Sequence, residues 1–168
     1  VRDKLGEHLW SKQREIAESV RDHRYTAVAS CHGAGKSFGA ARIVAWWLDV
    51  HPSGDAFAVT TAPTAPQVSA ILWREIRRAH RKGNLRGHIT QGNVPEWKMA
   101  DGEQIGYGRK PADTDQAAFQ GIHARYVLVV VDEACGVPKA LFDAVDSLAT
   151  NESRSEEHTS ELQSRHNL

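Results

Sequence analysis

The run YVLVVV, Tyr126–Val131, is hydrophobic on both of its alternating faces. A strand with no polar face cannot lie against water on either side, so it needs helices above and below it. That requirement points to an interior strand of a parallel sheet and argues against helical bundles and sheets with one solvated face. It also demands covering helices, and the rest of the chain supplies them in alternation with further strands.

"LGEHLWSKQREIAESVRDH" predicts an amphipathic helix carrying Leu5, Leu9, Ile16 and Val20. "YTAVAS", Tyr25–Ser30, predicts a short buried strand. "SFGAARIVAWWLDV" has the length and apolar content of a helix, ending near His51 and Pro52, with Trp46 and Trp47 as core residues. "AFAVTTA", Ala56–Ala62, predicts a second strand. "APQVSAILWREIRRAHRK" predicts a second long helix with Val68, Leu72 and Ile76 on one face. Between Gly83 and Gly121 the short pieces "GHITQ", "EWKMA" and "EQIGYG" predict a small antiparallel excursion. "PKALFDAVDSLAT" predicts a closing helix with Pro138 at its start and Leu141, Phe142, Val145 and Leu148 at helical spacing. Strand and helix alternate, so the fold class is α/β, a mostly parallel sheet flanked by helices.

Length and charge narrow the function. The 168 residues, 40% of them hydrophobic, suit one domain with one core. The formal net charge is zero, so no global field attracts nucleic acid and any such surface has to be local. Cys31 and Cys135 are the only cysteines and stand far apart, which suggests neither a disulfide framework nor zinc. The nine histidines show no metal-ligand spacing, and no apolar run reaches the ~20 residues of a membrane-spanning helix. From Arg154 the text turns into "RSEEHTSELQS", which has no apolar periodicity and reads like a translated sequencing adapter. Residues 1–152 are therefore expected to form one partial domain, and residues 153–168 a non-native or disordered tail.

"VASCHGAGKS" carries most of a Walker A phosphate-binding loop. Glycines let successive N–H groups converge on phosphate oxygens while the helix that follows directs its positive end at them. Ser30, Cys31, His32, Gly33, Ala34, Gly35, Lys36 and Ser37 form the expected cradle, with Ser30 where the pattern has its first glycine. Lys36 would reach the β- and γ-phosphates, and the Ser37 hydroxyl would ligate Mg²⁺. The alternative is a glycine-rich strand-to-helix turn. "VVVDEA" adds two carboxylates at the end of a strand, in the Walker B manner. Asp132 can hold Mg²⁺ through its water shell, and Glu133 can orient and polarise an attacking water. A phosphotransferase to an organic acceptor does not need that second acid, whereas an ATP-driven motor does.

With these residues in place, the chain resembles the ATPase domain of the large terminase subunit of tailed bacteriophages, from about Leu9 to Glu152. The resemblance rests on "LWSKQREI", "VASCHGAGKS", "VTTAPTAPQV", "AFQGIHARYVLVVVDEACGVP" and "LFDAVDSLATNE". It implies a RecA-like P-loop NTPase fold, incomplete on the C-terminal side. It implies ATP and Mg²⁺ as cofactors, with Lys36 and Glu133 catalytic and Ser37 and Asp132 at the metal. Double-stranded DNA, a portal protein and a small terminase subunit are the implied partners of a ring of copies, with no membrane, in the bacterial host cytoplasm. Gln13, near Trp10, resembles the glutamine that reads adenine; a surface helix glutamine is the equal alternative. "TAPT", Thr61–Thr64, matches a segment that couples to DNA in this class, or is simply a capped helix start. Where many terminases carry an arginine four residues before the loop lysine, this chain has His32, so an arginine finger is unassigned. The resemblance further implies that a strand after the closing helix inserts between Tyr25–Ser30 and Tyr126–Val131. "REIRRAHRK" places Arg74, Arg77, Arg78 and Arg81 on one side of a helix, first a solvated face and second a stripe for phosphodiester contacts. Two other functions share part of the pattern: a helicase-type translocase acting on DNA or RNA, and a nucleotide-binding assembly module without turnover.

Overall fold

The computed structural model describes residues 2–31, 33–110 and 122–148; His32 and the expected tail lie outside them. Five strands form one mixed sheet in the order β2-β3-β4-β1-β5. β1 is Ala56–Thr61, β2 His88–Ile89, β3 Glu96–Lys98, β4 Gln104–Gly108 and β5 Tyr126–Val131. β1 pairs in parallel with β4 and, in register over all six residues, with β5. β2, β3 and β4 are antiparallel neighbours, so the excursion expected between Gly83 and Gly121 forms. Its last strand does more than expected, because β4 also joins β1. The sheet is therefore mixed rather than mostly parallel.

The alternation of the central strands sorts two cores. Ala56, Ala58 and Ala62 face α3 (Lys36–Val50) and α4 (Trp73–Gly83), where Val44, Leu48, Leu72 and Ile76 are buried with them. Small alanines on this face let the two helices approach the sheet closely. Phe57 and Val59 point the other way, toward Val137, Leu141 and Ala144 of α5 (Lys139–Leu148) and the turn before it. Phe142 is 38% exposed, so the core face of α5 is carried by Leu141 and Ala144 instead. Trp47 is buried and its indole N–H donates to the Tyr126 carbonyl at 3.2 Å, tying α3 to β5.

Four further sequence expectations change. Tyr126–Val131, expected inside the sheet, is β5 at its edge, because among the described residues no backbone pairs with it on the side away from β1. The first helix, expected from Leu5 to His23, starts only at Ser11 as α2 (Ser11–Asp22), and a separate short α1 (Arg2–Leu5) stops before Gly6, which adopts φ +59. The second long helix opens with a π-helical turn, Gln67–Leu72, before α4; Val68, Leu72 and Ile76 are nonetheless all buried. Tyr25–Ser30 is not a buried strand. It joins no ladder, with Tyr25 59% and Val28 42% exposed, and β5 forms the sheet edge on that side. β-propensity supplies side chains for a pleated surface, but not the neighbouring backbone that a strand needs. Side chains tether the segment instead: Tyr25 Oη donates to Asp146 Oδ1 at 2.8 Å, and the hydroxyls of Ser19 and Thr26 lie 2.9 Å apart.

A buried charge network fastens the amino-terminal segment to the helices. The fully buried Arg42 guanidinium of α3 donates to both Glu7 oxygens at 2.8 and 3.1 Å and to Glu75 of α4 at 3.0 Å, and it stacks over the Phe38 ring. Lys82 completes the set at 2.9 Å from Glu7. Hydrogen bonding from Arg42 outweighs burial and, with Lys82, holds the Glu7 carboxyl at about 2, below its ordinary 4.5. A depressed carboxylate pKa stabilises the fold above the unfolded value, and that contribution is lost as pH falls from 4.5 through about 2. Glu7→Gln should therefore cost about 3 kcal/mol at neutral pH and flatten the stability profile in that acid window. Urea unfolding from pH 6 to pH 2 checks it; a parallel loss in both proteins counts against the network.

Candidate functional site

The site forms where the first turn of α3 meets the carboxyl end of β5. Gly33 and Gly35 both adopt φ +79, a left-handed backbone that side chains disfavour, and Gly35 is the residue preceding the first turn of α3. No side chain caps that helix end, so its first N–H groups are available to an anion, with the helix dipole behind them. Ala34 sits in the bend between the two glycines, and Ser30 and Cys31 are exposed at the start of the loop.

β5 brings the second half. The register with β1 runs one residue past the ladder, where the Asp132 N–H donates to the Thr61 carbonyl at 2.9 Å. Asp132 is thus carried to the strand end, and its Oδ2 lies 3.4 Å from the Ser37 hydroxyl, which donates to it across 95 residues of sequence. A hydroxyl and a carboxylate oxygen side by side are the hard donors that a magnesium ion takes, together with water and phosphate oxygens. No group of three or more His, Cys, Asp or Glu suited to a metal occurs among the described residues, so a cation there would need a ligand's oxygens as well.

Lys36 lies inside the loop: its ammonium donates to the Ser30 and Cys31 carbonyls, each at 3.2 Å. These acceptors hold the charge in the cradle. Glu133 follows Asp132 at φ 52, ψ 49, the left-handed region that a non-glycine residue enters at a cost of roughly 1–3 kcal/mol. Its N–H donates to Asp132 Oδ1 at 3.1 Å, while its carboxylate is exposed and has no hydrogen-bond partner among the described residues. The tight turn Ala134–Gly136 leads from there to α5.

Gln13 behaves differently from a surface glutamine. It is 9% exposed, and its amide donates to the Gly35 carbonyl at 3.3 Å, bracing α2 against the loop. Thr61 was legible only as part of a coupling segment; its side chain is buried at the same strand end, without a partner for its hydroxyl among the described residues. The Arg42 network behind α3 left no sequence signal, since Glu7, Arg42 and Glu75 share no motif or spacing. A separate cavity of about 510 Å³ runs along β4, lined in part by Phe57, Glu96, Tyr107 and Arg109.

No protein-family model matches the chain, and no curated protein sequence matches it. Among solved structures, it is similar to the large terminase ATPase domain of Thermus phage P74-26, with a TM-score of 0.58 at 18% identity. The match covers 89% of this chain and 63% of that one, so the chain spans less than two thirds of that structure's length. At this identity the likeness establishes the fold. The resemblance read from the sequence to terminase ATPase domains thus extends to the arrangement of sheet and helices.

The two loop glycines separate backbone strain from contact. A Cβ added at Gly35 would lie 2.8 Å from the Gln13 amide nitrogen, whereas one at Gly33 meets open space. Both substitutions carry the left-handed penalty of about 1–2 kcal/mol. Gly35→Ala should also push Gln13 off the loop and lower the melting temperature further than Gly33→Ala. Equal melting temperatures in a thermal scan would remove the brace.

Proposed function

We propose that this chain is the ATP-hydrolysing motor domain of a viral large terminase subunit, coupling hydrolysis to movement of double-stranded DNA into a capsid. The observation that carries the reading is the 3.4 Å approach of Ser37 to Asp132, which joins a phosphate-loop helix to a paired-carboxylate strand end. The fold likeness to a terminase ATPase domain supports the same choice. ATP and Mg²⁺ are the proposed cofactors. Double-stranded DNA, a portal protein, a small terminase subunit and further copies in a ring are the proposed partners, in the cytoplasm of a bacterial host. Among the described residues, no helix is long and apolar enough to cross a membrane.

In this reading the N–H groups at the start of α3 and the loop from Ser30 to Gly35 bind the phosphates. Lys36 exchanges the Ser30 and Cys31 carbonyls for phosphate oxygens, an exchange favoured because an anion is the stronger partner for an ammonium group. Ser37 and Asp132 would hold magnesium, which when bound neutralises charge on the phosphate oxygens. The exposed Glu133 carboxylate accepts the proton of the attacking water, and its freedom from protein partners leaves it able to do so. Gln13, committed to Gly35 by its N–H, keeps its carbonyl oxygen for the exocyclic amine of adenine.

Lys36→Ala should abolish measurable nucleotide binding, followed by titration with a fluorescent ATP analogue. Glu133→Gln should keep that binding while slowing hydrolysis by roughly 10²–10⁴. Asp132→Asn should instead raise the magnesium concentration needed for half-maximal binding. Unchanged affinity in Lys36→Ala, or indistinguishable behaviour of the two acid variants, would contradict the assignment.

A further inference from the structure

The outer row of α4 is built from arginine alone. At 100° per residue, Arg74, Arg77, Arg78 and Arg81 fall within an arc of about 100°, while Trp73, Glu75, Ile76 and Ala79 on the other side are buried. The row is about 10 Å long at the rise of a helix. Its members are not equally engaged. Arg77 is anchored, donating to the Ser69 carbonyl at 3.4 Å and the Thr90 carbonyl at 2.9 Å, and its Nε is buried without a partner. Arg78 donates to Glu75 at 2.8 Å from an exposed position. The side chains of Arg74 and Arg81 are exposed and have neither hydrogen bond nor ion pair among the described residues.

Helix stability does not account for this row. Arg74 with Arg78, and Arg77 with Arg81, are like charges four residues apart, an arrangement that destabilises a helix. Burial, and then the charge of Arg81, pushes the Arg77 pKa down, so the repulsion is felt inside the row. Off the row the same helix pairs its charges, Glu75 with Arg42 and Lys82 with Glu7, and within the row Arg78 is paired with Glu75. The exposed charges of Arg74 and Arg81 have no acidic partner among the described residues.

We propose that this face of α4 is a docking surface for the sugar-phosphate backbone of duplex DNA, with Arg74 and Arg81 making the contacts and Arg77 holding the helix against β2. A duplex strand presents a phosphate about every 3.4 Å of axis, so a row of this length meets about three of them. Single strands are held chiefly on aromatic platforms, and the arc carries no aromatic residue. Contacts of this kind read no base edge, so the binding is independent of sequence. The inference deepens the motor reading and rests on it for the identity of the polyanion.

The test uses the full 168-residue protein. Binding to a labelled duplex of about thirty base pairs is followed by fluorescence anisotropy between about 50 and 200 mM salt. The parent protein binds two unrelated sequences alike. Arg74→Gln with Arg81→Gln makes the slope of log affinity against log salt shallower by about 1.8 and weakens binding at least tenfold at the lower salt. Arg74→Lys with Arg81→Lys keeps the charge and most of the affinity, and each single glutamine variant loses about half of the slope change. Absence of duplex binding by the parent overturns the proposal. Unaltered binding in the glutamine variants, or equal affinity for a single strand of the same length, does so too. The fluorescent nucleotide titration is run on the same samples. Intact nucleotide binding with no DNA effect defeats this surface and leaves the motor reading standing; lost nucleotide binding with the full DNA effect does the reverse.

Discussion

The site depends on the six-residue parallel ladder between β1 and β5. Strands in parallel start from the same end of the sheet, so their carboxyl ends arrive together. The register places Thr61 opposite Val131, and the Asp132 N–H bonds to the next carbonyl in line. The carboxylate is thereby carried onto the edge that the first turn of α3 approaches, within reach of Ser37. A slip of one residue would turn Asp132 into the opposite core and leave a valine facing the phosphate loop.

The loop is held from three sides. α3 packs on the alanine face of the sheet through Val44 and Leu48, α2 touches it through Gln13, and Lys36 fills the cradle with its own charge. Behind α3, Arg42 binds Glu7 and Glu75, so the helix that follows the loop is clamped to α4 and to the segment before α2. Breaking one partner of a buried guanidinium is costly, since the remaining charge is stranded away from water. The helix end is braced by these contacts, whereas Glu133, next to Asp132, is exposed and in the left-handed region. In the proposed motor, the first would suit a phosphate cradle and the second an acid that activates water.

α4 connects this edge to the outer surface. It follows directly on the segment after β1, beginning with the π-helical turn from Gln67, and Trp73 donates to the Thr60 hydroxyl at 2.7 Å inside the strand. The arginine row on its far side is therefore mechanically continuous with the strand that sets the position of Asp132.

The sequence by itself determined the pieces whose signals are local. Hydrophobic periodicity marked α3, α4, α5, β1 and β5, and the glycines, lysine, serine and paired acids named the loop and the strand end before any geometry was known. Local patterns suffice there because turn conformation, helix amphipathicity and strand alternation are set by neighbours a few residues apart. Tertiary structure decided the rest. It put β4 beside β1, which made the sheet mixed, and left Tyr25–Ser30 without a ladder, because strand pairing requires a partner backbone that no local composition can specify. It delayed the start of the first long helix to Ser11, beyond the left-handed Gly6. It buried Gln13 against Gly35 and Arg42 between two glutamates from distant segments, contacts that carry no periodicity. Above all it brought Ser37 to within 3.4 Å of Asp132. Each motif prescribes the shape of its own backbone, but the distance between them is set by how helix and strand pack on the sheet.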